Sequence, residues 1–173
     1  MIKNMKHERR YRLTLDFLKE SIPDNSRILD LGVPNDFSRL MTEAGYKVSN
    51  TGGEDLDLDY HAVKNKNIDA VTAFEIFEHM FAPFNILREI ECNKLIASVP
   101  LKLWFASAYW NMTDERDRHY HEFEVKQFNW LLEKTGWKVI RAAKWTSPAN
   151  TLGIRPFLRR FTPRFYIVYC ERV

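Results

Sequence analysis

Glu75, Glu78 and His79 follow directly on a β-branched apolar run, Ile68-Asp69-Ala70-Val71-Thr72-Ala73-Phe74. Carboxylates and an imidazole at such a strand exit can accept hydroxyl donors, shape a ligand pocket or move a proton. Small molecules bind outside the carboxyl ends of strands in open parallel α/β sheets, where the backbone turns away and leaves a crevice. The plain reading of His79 alone is a structural histidine bridging backbone groups at a helix start. A later cluster, Asp114-Glu115-Arg116-Asp117-Arg118-His119-Tyr120-His121-Glu122-Phe123, supplies further titratable groups. His119 or His121 is suited to act as a base, because an unperturbed imidazole titrates near neutrality. His119, His121 and Glu122 could instead ligate a metal, or the histidines could cap the next helix.

Asp30 and Gly32 end another apolar run, Ile28-Leu29-Asp30-Leu31-Gly32, where glycine permits close backbone approach to a ligand. Asp55, Asp57 and Asp59 alternate within Glu54-Asp55-Leu56-Asp57-Leu58-Asp59-Tyr60. Ionised carboxylates there can take two hydroxyl donors. They lack the glycine-turned loop of a calcium site, so no metal is expected.

These groups need elements to hold them. Tyr11, Leu15, Leu18 and Ile22 recur at helical spacing, so an amphipathic helix is predicted from Met5 to Ile22, stopped by Pro23. Arg27 to Gly32 reads as a buried strand, with Asp36 capping a helix that buries Phe37, Leu40, Met41 and Ala44 and ends at Gly45. Strands are predicted at 46–50, 68–74 and 94–99, with a helix opened by Pro83 between the last two. The pattern then breaks from Leu101 to His121, a segment carrying Trp104, Phe105, Tyr109 and Trp110, and long irregular segments in compact domains are usually functional or mobile. A helix around Phe128, Leu131, Leu132 and Thr135 is closed by Gly136, and strands follow at 137–145 and 165–171. Between them runs a loop bearing Pro148, Pro156 and Pro163. Alternating helices and strands argue for a three-layer α/β/α sandwich with a mostly parallel sheet and an antiparallel final strand.

The stretch "hydrophobic-Asp-x-Val followed nine residues after the Asp by Glu-His" resembles the fourth strand and post-strand corner of small class I S-adenosylmethionine-dependent methyltransferases. Asp30-x-Gly32 resembles the start of their glycine-rich cofactor loop, and His before Glu-Phe with a helix ending Gly-aromatic-x-Val resembles their late region. The resemblance spans Arg27 to Trp145. It implies a Rossmann-like sheet, S-adenosylmethionine as cofactor and methyl transfer to a small-molecule, sugar or lipid-linked acceptor. The implied cofactor contacts are Asp30, Gly32, Asp55, Asp57, Asp59, Phe74, Glu75 and His79, and His119 and His121 are the implied substrate-side catalytic candidates. The family's second and third glycines fall on Pro34 and Asp36, and its ribose-binding acid falls at Gly52, where Glu54 or Asp55 can substitute. If Pro34 and Asp36 obstruct the loop, glycine at both should strengthen binding. These departures prompt an alternative, a methyltransferase-like binding domain that has lost the cofactor.

The chain of 173 residues is 45% hydrophobic and 28% charged, as a globular domain should be, and its length suits one core. Residues 1–173 are therefore expected to form one methyltransferase-like domain, with 1–23 a covering helix and 146–164 a basic loop or lid. Residues 141–173 carry a net +6, against −3 for the rest. Arg155, Arg159, Arg160 and Arg164, set among Phe157, Leu158 and Phe161, are expected to form a short amphipathic cover, which could guide an anionic small-molecule acceptor. No nucleic-acid reading module is recognisable, so specific nucleic-acid binding is not expected. The polar start and the lack of a long apolar run point to a cytoplasmic protein, with Cys92 and Cys170 as reduced thiols.

Overall fold

In the computed structural model, which describes residues 2–64, 67–147 and 152–173 (side chains from residue 8), short buried strands alternate with helices. The chain runs α1 (Ile2–Lys19), β1 (Arg27–Asp30), α2 (Asp36–Glu43), β2 (Lys47–Asn50), β3 (Ala70–Phe74), α3 (Pro83–Glu89), β4 (Lys94–Pro100), α4 (Val125–Lys134), β5 (Trp137–Thr146), α5 (Ile154–Phe161) and β6 (Pro163–Arg172). Sheet order is β2-β1-β3-β4-β6-β5. The pairs β2-β1, β1-β3 and β3-β4 are parallel, and β6 lies antiparallel between β4 and β5. The expected α/β/α sandwich is therefore present, with β6 inserted into the sheet rather than at its edge.

Successive strand residues face opposite sides, and the core divides accordingly. On one side Leu29, Leu31, Val71, Ala73, Leu95, Ala97 and Val99 pack with Ile86 and Leu87 of α3 and Phe128 and Leu132 of α4. On the other, Ile28, Ala70, Ile96, Ile167 and Tyr169 pack with Phe17 and Leu18 of α1 and Phe37 and Met41 of α2. The helix predicted from Met5 starts earlier, and it covers the sheet as expected. Asn35 rather than Asp36 caps α2: its side chain accepts from Phe37 N and Ser38 N, while Ser38 Oγ accepts from Asn35 N. An extended residue must precede the first turn, and Asn35 (φ −143°, ψ 178°) is that residue. Asp36 sits one position inside and pairs with Arg39.

Residues 146–164 are less of a loop than expected, because α5 forms within them; Pro148 lies outside the described residues. The apolar face of α5 does not pack down, since Ile154, Phe157 and Phe161 are 81%, 59% and 70% exposed. Arg164 is also not a free guide. Its guanidinium donates to Glu122 at 2.9 Å and to the Leu101 carbonyl at 2.7 Å, tying the start of β6 to the segment leading into α4.

The end of the sheet away from the candidate site is fastened by Trp137. Its indole N–H donates to Leu87 O at 2.9 Å, and the Arg172 guanidinium lies 4.2 Å from the ring centroid. Trp137→Ala is expected to cost about 3–5 kcal/mol, from lost burial and the cavity it leaves. Trp137→Phe, which removes mainly the hydrogen bond, should cost about 1–3 kcal/mol. Urea unfolding midpoints measure both, and a Trp137→Phe variant as stable as the unsubstituted protein would show that the hydrogen bond adds nothing.

Candidate functional site

Three parallel strands end together on one side of the sheet, and a buried acid ties them. Asp30, the last residue of β1, accepts from Thr72 Oγ1 of β3 at 2.6 Å and from Asn50 Nδ2 of β2 at 3.1 Å. Burial pushes the Asp30 carboxyl up to about 6, with the bonds from Thr72 and Asn50 opposing the shift. Beyond it Gly32 adopts φ +107°, and a side-chain carbon there would lie 3.3 Å from Ile76 Cδ1. Glycine is thus required twice over, by conformation and by space. Its N–H donates to Thr51 Oγ1 at 2.7 Å.

These exits open onto a cavity of about 690 Å³. Its walls come from β1 (Asp30, Gly32), the segment after β2 (Gly53, Glu54, Asp55, Asp57), the β3 exit (Phe74, Glu75, His79) and α1 (Arg10, Tyr11, Thr14). The far wall includes Phe81, Glu115, Arg116, Asp117 and Tyr120. Seven of the eight expected contact residues therefore meet there: Asp30, Gly32, Asp55, Asp57, Phe74, Glu75 and His79. Asp59 does not; it is exposed and accepts from His61 N, starting the next turn. Asp57 has a second task, since its carboxylate accepts from Phe81 N and Ala82 N, each at 2.8 Å, where α3 begins. Pro34 and Asp36 are exposed and lie off the wall, while their neighbours Gly32, Val33 and Asn35 line it. They do not obstruct the cavity.

Glu75 turns the chain at φ +57°, unusual for a residue with a side chain. Ser98 Oγ donates to it at 2.9 Å, and Arg10 Nη1 approaches its other oxygen at 3.6 Å. Burial raises its carboxyl above the usual range, with the Arg10 charge the main opposing effect. Arg10 also lies over the Tyr11 and Phe165 rings. It went unread in the sequence because one arginine in a helix gives no local signal.

The late cluster arrives differently from expectation. Tyr120 N and His121 N both donate to Glu78 O, at 2.8 and 3.2 Å, so the segment bends at Tyr120 beside the β3 exit. Tyr120 lines the cavity there, and His119 and His121 do not. Neither expected base lines the wall. Burial, with the neighbouring His79 charge, lowers His119 to about 4, and His121 Nε2 lies 3.3 Å from Phe81 O. Trp104, Phe105, Tyr109 and Trp110 also stay off the wall, and of these Tyr109 and Trp110 contact residues that line it. Tyr109 Oη donates to Asp117, and Trp110 meets Tyr120 edge-on at 6.0 Å. Arg155, Arg159, Arg160 and Arg164 do not line the cavity either.

The sign of the Asp30 shift gives a test. A folded carboxyl near 6 keeps a proton that the unfolded chain has released from about pH 4 upward, so folding stability from this group falls as pH rises from about 4 to 6. Asp30→Asn has no such proton to lose. Its stability relative to wild type is expected to rise by up to about 3 kcal/mol across that window, measured by chemical unfolding at stepped pH. A pH-independent difference would mean that burial does not shift Asp30.

The whole-chain geometry matches known enzymes. The 1,6-didemethyltoxoflavin-N1-methyltransferase of Burkholderia thailandensis, solved with 1,6-didemethyltoxoflavin and S-adenosylhomocysteine, superimposes with a TM-score of 0.67 at 14% identity, covering 99% of this chain and 85% of that one. An S-adenosylmethionine-dependent methyltransferase of Archaeoglobus fulgidus gives 0.65 at 14%, covering 95% and 94%. Magnesium protoporphyrin IX methyltransferase of Synechocystis PCC 6803, with bound S-adenosylhomocysteine, gives 0.62 at 13%, covering 98% and 84%. At these identities the likeness concerns the fold. No curated protein matches the sequence. The sequence profile described as "Methyltransferase domain" matches residues 3–142, most of the chain, and the protein accordingly belongs to that family, with the class I methyltransferase fold.

Proposed function

We propose that the protein transfers a methyl group from S-adenosylmethionine to a small-molecule acceptor. The observation that carries this reading is the cavity at the ends of β1 and β3, where the Gly32 turn, Asp30, Glu54, Asp55 and Glu75 converge. An acidic wall suits a sulfonium cation, and Glu54 or Asp55 is placed to accept ribose hydroxyls. The cofactor, when bound, supplies a methyl carbon already electrophilic, so transfer depends on in-line positioning more than on acid catalysis.

The chain's own residues divide this work. The first turn of α2 is capped by Asn35, which occupies the N–H groups of Phe37 and Ser38 that relatives of this fold would offer a carboxylate. Arg10 is the cation on the wall nearest Glu75, and it takes that role here. Phe81 and Tyr120, with ring centroids 3.9 Å apart, form an aromatic wall for the acceptor. The rival reading, a domain without the cofactor, drew on Pro34, Asp36 and Gly52, and all three lie off the cavity wall.

Calorimetric titration with S-adenosylhomocysteine tests the reading. Saturable binding is expected, weakened about tenfold or more in Arg10→Gln through loss of a charge-assisted contact. The double change Pro34→Gly with Asp36→Gly should alter affinity by less than about threefold, because neither residue faces the cavity. Folded protein that binds neither S-adenosylhomocysteine nor S-adenosylmethionine would remove the enzyme reading.

A further inference from the structure

At the His79 wall of the cavity three side chains converge, of which the methyl-transfer reading leaves Glu78 and His119 unused. Glu78 is 0% exposed, and neither of its carboxylate oxygens has a hydrogen-bond partner among the described residues. A buried carboxylate without partners is costly and calls for a physical reason. His79 Nε2 lies 3.9 Å from Glu78 Oε1, and the edge of one imidazole meets the other ring, with His79 and His119 centroids 4.9 Å apart. One ligand atom from each of Glu78, His79 and His119 lies within 4.8 Å of the other two.

We propose that Glu78, His79 and His119 bind a divalent first-row transition-metal cation. Two imidazoles and a carboxylate are a donor set for Zn²⁺, Mn²⁺, Fe²⁺ or Co²⁺ rather than for Ca²⁺, and three protein ligands leave coordination positions open. Ligand atoms about 2.1 Å from a shared cation stand about 3.0–3.4 Å apart in cis or tetrahedral positions, so a cation would draw these atoms closer together than they stand here. The surroundings are arranged as outer partners of a metal site. His79 Nδ1 lies 3.1 Å from Arg118 O; donating there, it leaves the Nε2 lone pair toward Glu78. His119 Nδ1 faces Glu122 Oε1 at 3.7 Å, and Arg164 holds Glu122 in place. His121, which the sequence grouped with His119, turns instead to Phe81 O and takes no part.

The ligands come from two separate segments, the β3 exit and the run before α4, so the cation would also pin Tyr120 to the cavity. On the methyltransferase reading, on which this one extension rests, an open coordination position beside His79 would face an oxygen of the acceptor and favour its ionised form.

The test contains no methyl donor and so fails or succeeds independently of that reading. Chelator-treated protein is titrated calorimetrically with Co²⁺, Mn²⁺ and Zn²⁺, each alone. Saturable binding of at least one cation at one per chain is expected, weakened at least about tenfold in both Glu78→Gln and His119→Ala and unchanged in His121→Ala. No saturable binding of any of the three up to about 1 mM, a smaller loss in either ligand variant, or an equal loss in His121→Ala overturns the proposal. If a ligand variant does not fold, Mn²⁺ added to the unsubstituted chain decides. Broadening of the His79 and His119 imidazole resonances supports the site, and broadening that spares them overturns it.

Discussion

Asp30 sits where three parallel strands end, and its two carboxylate oxygens hold β2 and β3 to β1 through Asn50 and Thr72. Leu31 N continues the ladder to Thr72 O before the chain leaves the sheet. An acid that is 3% exposed is tolerated there only because both oxygens are satisfied. That bond set fixes the points from which the Gly32 turn, the Thr51 connection and the Glu75 corner depart. Each of them contributes a wall of the cavity. The site is therefore a consequence of how the strand ends are tied.

The second constraint is the corner itself. Glu75 holds a left-handed backbone conformation, and Glu78 follows fully buried, so this short segment carries both strain and an unsatisfied carboxylate. Such costs persist where surrounding structure over-determines them. Ser98 and Arg10 restrain Glu75, and the Glu78 carbonyl receives the backbone of Tyr120 and His121. Burial first, and then the Glu75 charge, hold the Glu78 carboxyl well above its ordinary range. A cation among Glu78, His79 and His119 would relieve that condition, and it would join the sheet corner to the late segment.

Much of this was legible in the sequence because the signals were local. The apolar runs at 28–31 and 70–74, the Pro83 helix start and the Gly136 stop each announce an element within a few residues. The Glu75 to His79 corner was legible as a site for the same reason. What escaped depended on direction or on distance in the chain. The bend at Tyr120, which spacing does not reveal, put Tyr120 rather than His119 on the wall. Arg10 reaches the cavity from α1 across the sheet, and Arg164 is consumed by Glu122, neither of which spacing reveals. Asn35 and Asp36 are both good caps, and only backbone angles separate them. The exposed face of α5 shows that an amphipathic pattern does not by itself supply a surface to pack against.

The central claim is that the tied strand ends form a cavity for a methyl donor that this chain uses. Native mass spectrometry of protein purified gently from cells addresses it most directly. The account predicts a fraction of molecules carrying the mass of S-adenosylhomocysteine or S-adenosylmethionine, displaced by added excess of either and lost on unfolding. Folded chain carrying neither, and acquiring neither when the purified ligands are supplied, would contradict it.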